Sequence, residues 1–177
     1  MKAAVCRKFG TPLVIEEIEI DPPKAGEVKV ALAACAICHS DITYMNGGWG
    51  GTLPAVYGHV ASGVVENIGP GVTRIVPGDH VIVTLLRSCG ECFYCVQGAL
   101  NMCETSFPLD KQSCLHGQDG GVIHQGLRTA AFAEYAVVDQ SQTAAIPKEL
   151  PFDRASLLAC GVITGFGAVV NTARVPS

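Results

Sequence analysis

Four cysteines crowded between positions 89 and 103 constrain this chain more than anything else in it. Cys89, Cys92, Cys95 and Cys103 read C-x2-C-x2-C-x7-C. Tight turns joining the first three let their sulfurs converge on one point, and Gly90 and Gly98 permit the backbone bends this needs. Four thiolates around a tetrahedral zinc make a closed structural site with no position left for a substrate. Such a site ties down a segment that cannot bury a core of its own. The surrounding residues, 87–126, are rich in Cys, Gly and polar side chains, and a loop of that length needs a staple or a function. Disulfides are one competing use of these thiols. The chain has nine cysteines, an odd number, and its start, Met1-Lys2-Ala3-Ala4-Val5, lacks the long apolar run of a secretory signal. In a reducing compartment clustered thiols serve metals or act as nucleophiles, so a cytoplasmic setting and bound metal are expected. An iron–sulfur cluster is the other competitor, because C-x2-C-x2-C also opens a ferredoxin run. That run closes with x3-C-P, whereas here seven residues intervene and Glu104 follows Cys103. Zinc is the expected metal.

Around this cluster the chain reads as a folded, mainly β domain. Apolar residues make up 49% and charged residues 16% of the 177 positions, which supports one domain with a core. A net charge of −4 leaves no basic face for nucleic acid, and no Lys/Arg run marks a membrane surface. The longest apolar stretches, such as Val81 to Leu86, are too short to cross a bilayer. Neither nucleic acid nor a membrane is expected as a partner. Strands are predicted at Lys2 to Val5, Leu13 to Ile20, Glu27 to Leu32, Ala61 to Ile68, His80 to Leu86 and Phe132 to Val138. Gly69-Pro70-Gly71 and Pro77-Gly78-Asp79 supply turns between them. Short strands at this spacing predict a closed or partly closed barrel. Beyond Phe152 the character changes. Asp153 to Ala159 suits a short helix, and Thr164 to Ala173 a second one that Gly165 and Gly167 weaken.

Two further segments carry possible ligands. Cys38 lies in Ala36-Ile37-Cys38-His39-Ser40-Asp41, His59 follows Gly58, and Cys160 lies in Ala159-Cys160-Gly161. Each alone reads as structural: a lone buried cysteine is a small hydrophobe, and Ser40 with Asp41 could be an ordinary helix N-cap. Spacings of 21 and 101 positions do not show that three residues share one ion.

The motifs in order do more. Cys38-His39-Ser40-Asp41, the run Gly58-His59…Gly63…Gly69…Val72, the four-cysteine segment and Cys160-Gly161-Val162-Ile163-Thr164-Gly165 resemble the zinc-dependent alcohol dehydrogenases of the medium-chain dehydrogenase/reductase superfamily, along essentially the whole chain. The resemblance implies a GroES-like β-barrel over residues 1–150, with a zinc lobe at about 87–126 and a few short helices. Residues 151–177 are then linker helices leading to a doubly wound nucleotide-binding (Rossmann) domain that is absent from this chain. Gly165-Phe166-Gly167-Ala168 follows no strand and is not that domain's phosphate loop.

The resemblance also implies two zinc ions per chain, one structural on Cys89, Cys92, Cys95 and Cys103, and one catalytic on Cys38, His59 and Cys160 with a fourth position open. Asp41 then matches the carboxylate that orients the ligand histidine, and Ser40 the hydroxyl that takes the alcohol proton. His39 falls where the cofactor pyrophosphate is met, and Thr164 against the nicotinamide. The implied activity interconverts an alcohol and its aldehyde or ketone by hydride transfer to NAD or NADP, in a full-length enzyme that is a homo-oligomer. The 177-residue chain alone is expected to bind zinc and turn over poorly. Two residues depart from the family pattern. Val60 stands where a glutamate is usual, and Thr43 where many relatives carry a histidine at the outer end of the proton relay. From the residues alone two other readings stay open: a non-enzymatic zinc-binding β module, and an iron–sulfur electron-transfer protein.

Overall fold

The turn signals deliver ten strands into two sheets. A computed structural model describes residues 1–175, so Pro176 and Ser177, the end of the expected linker, lie outside the described residues. In chain order the main elements are β1 (Lys2–Cys6), β2 (Val14–Ile20), β3 (Glu27–Ala36), α1 (His39–Met45), β4 (Ala55–Val56), β5 (Val60–Ile68), β6 (His80–Val83), α2 (Phe93–Val96), α3 (Pro108–Lys111), β7 (Leu115–Gly117), β8 (Val122–Gln125), β9 (Tyr135–Asp139) and β10 (Thr143–Ala145). A helix, α4 (Phe152–Ala173), follows. One sheet closes on itself in the order β1-β2-β7-β8-β4, and the other runs β10-β6-β5-β3-β9. The mainly β barrel expected of the sequence is therefore the observed architecture.

Alternation along the strands fills the cores. Val28 and Val30 of β3 and Val81 and Val83 of β6 point inward and are fully buried, as side chains two apart on a pleated strand must be to share one face. A second cluster, with Val5, Ile18, Val56, Leu115 and Ile123, fills the closed sheet. The longest pairing, β3 with β5, slips register between Leu32 and Ala34. Gly63 sits opposite that slip, where a Cβ would strike the Ala31 carbonyl, so no side chain fits.

Three differences from the sequence reading matter. The segment 87–126 is not one irregular lobe: Leu115–Gly117 and Val122–Gln125 pair with each other and with β2 and β4, and belong to the closed sheet. The cysteine-bearing lobe is the part before them. The two helices expected after Phe152 are one continuous helix with π turns at Leu158–Val162 and Ala168–Ala173. Its glycines weaken a helix without breaking it, since no proline falls within it. That helix, 22 residues, is long and apolar enough by length and composition to cross a bilayer. Counting unbroken apolar runs missed it, because Asp153, Arg154, Thr164 and Asn171 interrupt its sequence.

The topology brings three loose ends together. β3 runs out just before Cys38 and β5 begins just after His59, and the final pair of their ladder is Ala36 with Val60. The first turns of α4 pack on β3 and β5, burying Ala155, Ser156 and Ala159. The Ser62 hydroxyl in β5 donates to the Phe152 carbonyl at 2.6 Å, which fixes where the helix starts and hence where Cys160 lies.

Candidate metal centres

Asp41 organises the first centre. It is fully buried, and each of its oxygens is spoken for. Oδ2 accepts the Cys38 backbone N–H at 3.0 Å, closing the first turn of α1 in the manner of a capping box. Oδ1 accepts the Gly58 N–H at 3.0 Å and lies 3.1 Å from His59 Nδ1. One carboxylate therefore ties the Cys38 segment to the His59 segment and engages Nδ1, leaving Nε2 as the nitrogen available to a metal. The ligand atoms of Cys38, His59 and Cys160 all lie within 4.8 Å of one another. His59 is buried and the two cysteines are half-buried, so the set opens toward solvent on its sulfur side.

Burial pushes the Cys38 thiol up, but the backbone N–H and hydroxyl of Ser40, with the His59 imidazole, outweigh it and bring the thiol below its ordinary value. Burial pushes His59 down, yet the hydrogen bond and charge of Asp41 raise it overall. Cys160 is pushed up, first by burial and then by the Cys38 sulfur beside it. Two neighbouring thiolates repel, and a divalent ion between them removes that repulsion. Two sulfurs, one imidazole and a solvent-facing side match what zinc takes in catalytic sites.

The other residues of the first set are adjacent but not equivalent. Ser40 Oγ lies 3.7 Å from Cys38 Sγ. The Thr43 hydroxyl donates to the His39 carbonyl at 3.1 Å, turned back onto α1 and not outward from Ser40. Val60 is buried at the start of β5 and offers no ligand atom. His39 and Thr164 are exposed, the one next to Cys38 and the other a helical turn past Cys160, whose sulfur its hydroxyl meets.

The second centre is closed. Sγ atoms of Cys89 and Cys95 are 3.9 Å apart and those of Cys92 and Cys103 are 4.0 Å apart, with all four within 4.8 Å. Four sulfurs at about 2.3 Å from a tetrahedral zinc lie roughly 3.8 Å from each other. A polynuclear iron–sulfur cluster places several iron and sulfide atoms among its thiolates and needs a wider ring. Backbone N–H groups of Cys92 and Glu91 point at Cys89 Sγ at 3.3 and 3.5 Å, and that of Cys89 at Cys103 Sγ at 3.4 Å. With the Thr105 hydroxyl as the leading cause, the Glu91 and Cys92 N–H groups bring the Cys89 thiol down to about 6. Cys95, by contrast, is pushed up to about 11 by burial and by the sulfurs around it. A cation among the four sulfurs would favour the Cys95 thiolate that burial disfavours.

Comparison with known proteins settles the family. The description "Alcohol dehydrogenase GroES-like domain" matches residues 24–148. The chain belongs to the alcohol dehydrogenase GroES-like domain family. The chain is 36% identical to "Alcohol dehydrogenase 1" of Pisum sativum across 181 residues, covering 98% of the chain and 48% of that protein. It is 39% identical to "Alcohol dehydrogenase class-3" of Zea mays across 184 residues, covering 99% of the chain and 48% of that protein. Among solved structures, an "Alcohol dehydrogenase zinc-binding domain protein" from Burkholderia ambifaria superposes with a TM-score of 0.92 at 36% identity, over 99% of this chain and 50% of that one. Benzyl alcohol dehydrogenase from Acinetobacter calcoaceticus superposes with a TM-score of 0.85 at 31% identity, over 98% of this chain and 48% of that one. The chain thus spans about half the length of the curated relatives it matches. The motif resemblance to zinc-dependent alcohol dehydrogenases is borne out.

Sequence reasoning missed two residues that hold the centres in place. Ser62 fixes the start of α4, and Arg87, buried at the neck of the lobe, directly follows the apolar-rich run that ends at Leu86. A charge set between that run and the first cysteine was the available signal.

Proposed function

We propose that this domain is the metal-binding, alcohol-handling part of an oxidoreductase that interconverts a small alcohol and its aldehyde or ketone by hydride transfer to NAD or NADP, held by a nucleotide-binding unit. The observation that carries the reading is the convergence of Cys38, His59 and Cys160, from three separate elements, around the buried Asp41. A zinc ion held by those three residues supplies a Lewis acid that lowers the pKa of a bound hydroxyl toward neutrality, to about 7 for water. The protein's own groups do the rest. Asp41 keeps His59 in one tautomer and one orientation. Ser40, beside Cys38, is in this reading the group that accepts the proton the alcohol loses. Thr43, turned onto α1, is not the outer end of a proton relay in this reading. Val60 leaves the first centre with three protein ligands and no carboxylate to compete for the fourth position. His39 and Thr164, exposed beside Cys38 and Cys160, are the cofactor-facing residues in this reading. Cys89, Cys92, Cys95 and Cys103 hold the second, structural zinc.

The partners proposed are a small alcohol or aldehyde and a second copy of the full-length enzyme, in the cytoplasm, without nucleic acid or lipid. Cys160 bears on the last point. It lies in α4 itself, and a helix carrying a ligand locked against the barrel could not enter a bilayer without drawing the barrel after it. A non-enzymatic zinc module would have no need of an open centre with a buried orienting carboxylate.

Metal analysis tests the reading. Two zinc ions per chain are expected, with Cys38→Ala losing one and Cys92→Ala the other. A single zinc per chain, unaffected by Cys38→Ala, would sink it. The isolated domain is expected to turn over alcohols poorly with NAD, while a protein that adds the nucleotide-binding unit turns over well and loses most activity in Ser40→Ala.

A further inference from the structure

We propose that Arg87 is a positioning residue that locks the four-cysteine lobe and the His59 segment into one fixed relation, so that filling one metal set changes the affinity of the other. This rests on the reading that both sets hold a divalent metal.

Arg87 is 3% exposed, and a buried guanidinium is tolerated only when its donors are met. Here they diverge to three acceptors. Nε donates to Gln142 Oε1 at 2.7 Å, Nη1 to Asp110 Oδ1 at 2.7 Å, and Nη2 to the Arg128 carbonyl at 3.0 Å. The group also lies over the Phe107 ring, 5.6 Å from its centre. Arg87 precedes the first cysteine of the lobe by two residues, whereas Phe107 and Asp110 follow the last. The guanidinium therefore closes the neck of the lobe and pins that neck to the barrel through Gln142 and Arg128.

The Arg128 end leads to the other centre. Leu127, Arg128 and Ala130 have φ of 52°, 60° and 58°, a left-handed conformation that residues with side chains hold only where their surroundings over-determine it. What over-determines it here is the Arg128 carbonyl, which accepts from Arg87 and also from Gln142 Nε2 at 3.2 Å. The turn runs straight into Ala131 and Phe132, whose N–H groups donate to the Gly58 and Tyr57 carbonyls at 2.9 and 2.8 Å. Gly58 has a φ of 92°, and a Cβ there would sit 2.7 Å from the Phe132 nitrogen, so the two segments meet with no slack. The Gly58 N–H is in turn held by Asp41, and His59 follows. Hydrogen bonds at either end, joined by the backbone from Arg128 to Ala131, thus connect the neck of the lobe to a ligand of the open centre.

Contiguity alone is not coupling, which must be measured as a change in affinity. Cobalt(II) titrated into the metal-free chain reads it, because its visible bands report thiolate count and geometry at each set. Emptying the lobe with Cys92→Ala is expected to weaken cobalt binding at Cys38, His59 and Cys160 by roughly ten-fold, within the usual range of coupling between sites. In the Arg87→Lys background the same change should make less than about a two-fold difference, since one ammonium on a flexible stem does not serve three diverging acceptors. If Arg87→Lys does not fold, Asp110→Asn, isosteric and uncharged, should reduce the coupling part of the way. Val81→Ala, a cavity elsewhere in the core, should leave the coupling intact. The proposal is overturned if the open set binds equally with the lobe filled or emptied, if the coupling survives both Arg87→Lys and Asp110→Asn, or if Val81→Ala abolishes it too. One cobalt per wild-type chain would overturn the two-centre reading itself.

Discussion

At the scale of single residues, the nine cysteines divide without remainder. Six are metal-set residues and three, Cys6, Cys35 and Cys114, are packed in or against the barrel cores. Burial pushes Cys35 up to about 11 and Cys114 up to about 12, and raises Cys6 as well. A raised thiol favours its neutral form, so these three stay unreactive at neutral pH, and the stability tied to that form falls as pH rises from the ordinary thiol value toward the raised ones. Alkylation followed by peptide mass spectrometry should find no fast thiol in the zinc-loaded protein and six that label after chelation, Cys160 more slowly than Cys38, with the remaining three silent until the chain unfolds. Fast labelling of Cys114 in the folded state would contradict this. Asp41 supports a sharper test. In Asp41→Asn one acceptor becomes a donor facing the N–H groups of Cys38 or Gly58. Metal affinity at the open set should fall about 10- to 100-fold by chelator competition, with about 1–3 kcal/mol of folding stability lost for the unmet donor. Wild-type retention would show that the carboxylate does not set the geometry.

At the scale of elements, what the sequence showed and what it hid follow from length and from packing. β3 and β5 are ten and nine residues long, enough for the polar and apolar alternation of Glu27 to Leu32 and the apolar run from Ala61 to be seen. β7 and β8, three and four residues, are too short for a period of two to be seen, so they were absorbed into the irregular segment around the cysteines. The four-cysteine set was legible because its spacing is local. The open set was not, because Cys160 reaches Cys38 and His59 only through the docking of α4 on β3 and β5. The ordered motifs of the family supplied that step, and neither periodicity nor spacing contained it. Ser62 is where the docking can be probed. Removing its hydroxyl in Ser62→Ala leaves the Phe152 carbonyl without its donor, at a cost of about 1–2 kcal/mol in denaturant unfolding. The open set should then release its metal faster while the four-cysteine set does not. Equal release from both would mean that the start of α4 plays no part in placing Cys160.

At the scale of the whole molecule, the barrel and the lobe are stabilised by different forces. The barrel has two sizeable clusters of buried apolar residues and closes one sheet on itself, which leaves that sheet no free edge. Between residues 89 and 112 only Cys95 and Phe107 are buried, while Phe93, Val96, Leu100 and Met102 are each at least half exposed. So little buried surface cannot offset the conformational entropy of ordering some two dozen residues, which is of order 1–2 kcal/mol each for the backbone alone. The metal has to supply the difference, as it does in small zinc domains where binding free energy is folding free energy. Removing it should therefore undo the molecule in two stages. On chelation, limited proteolysis should cut within residues 89–112 while the β-sheet circular dichroism signal persists, and the barrel should unfold only at a higher temperature. Cys92→Ala should reproduce the first stage without chelator. A lobe that resists protease after its metal is gone would mean that contacts at its neck, Arg87 foremost, are enough to hold it.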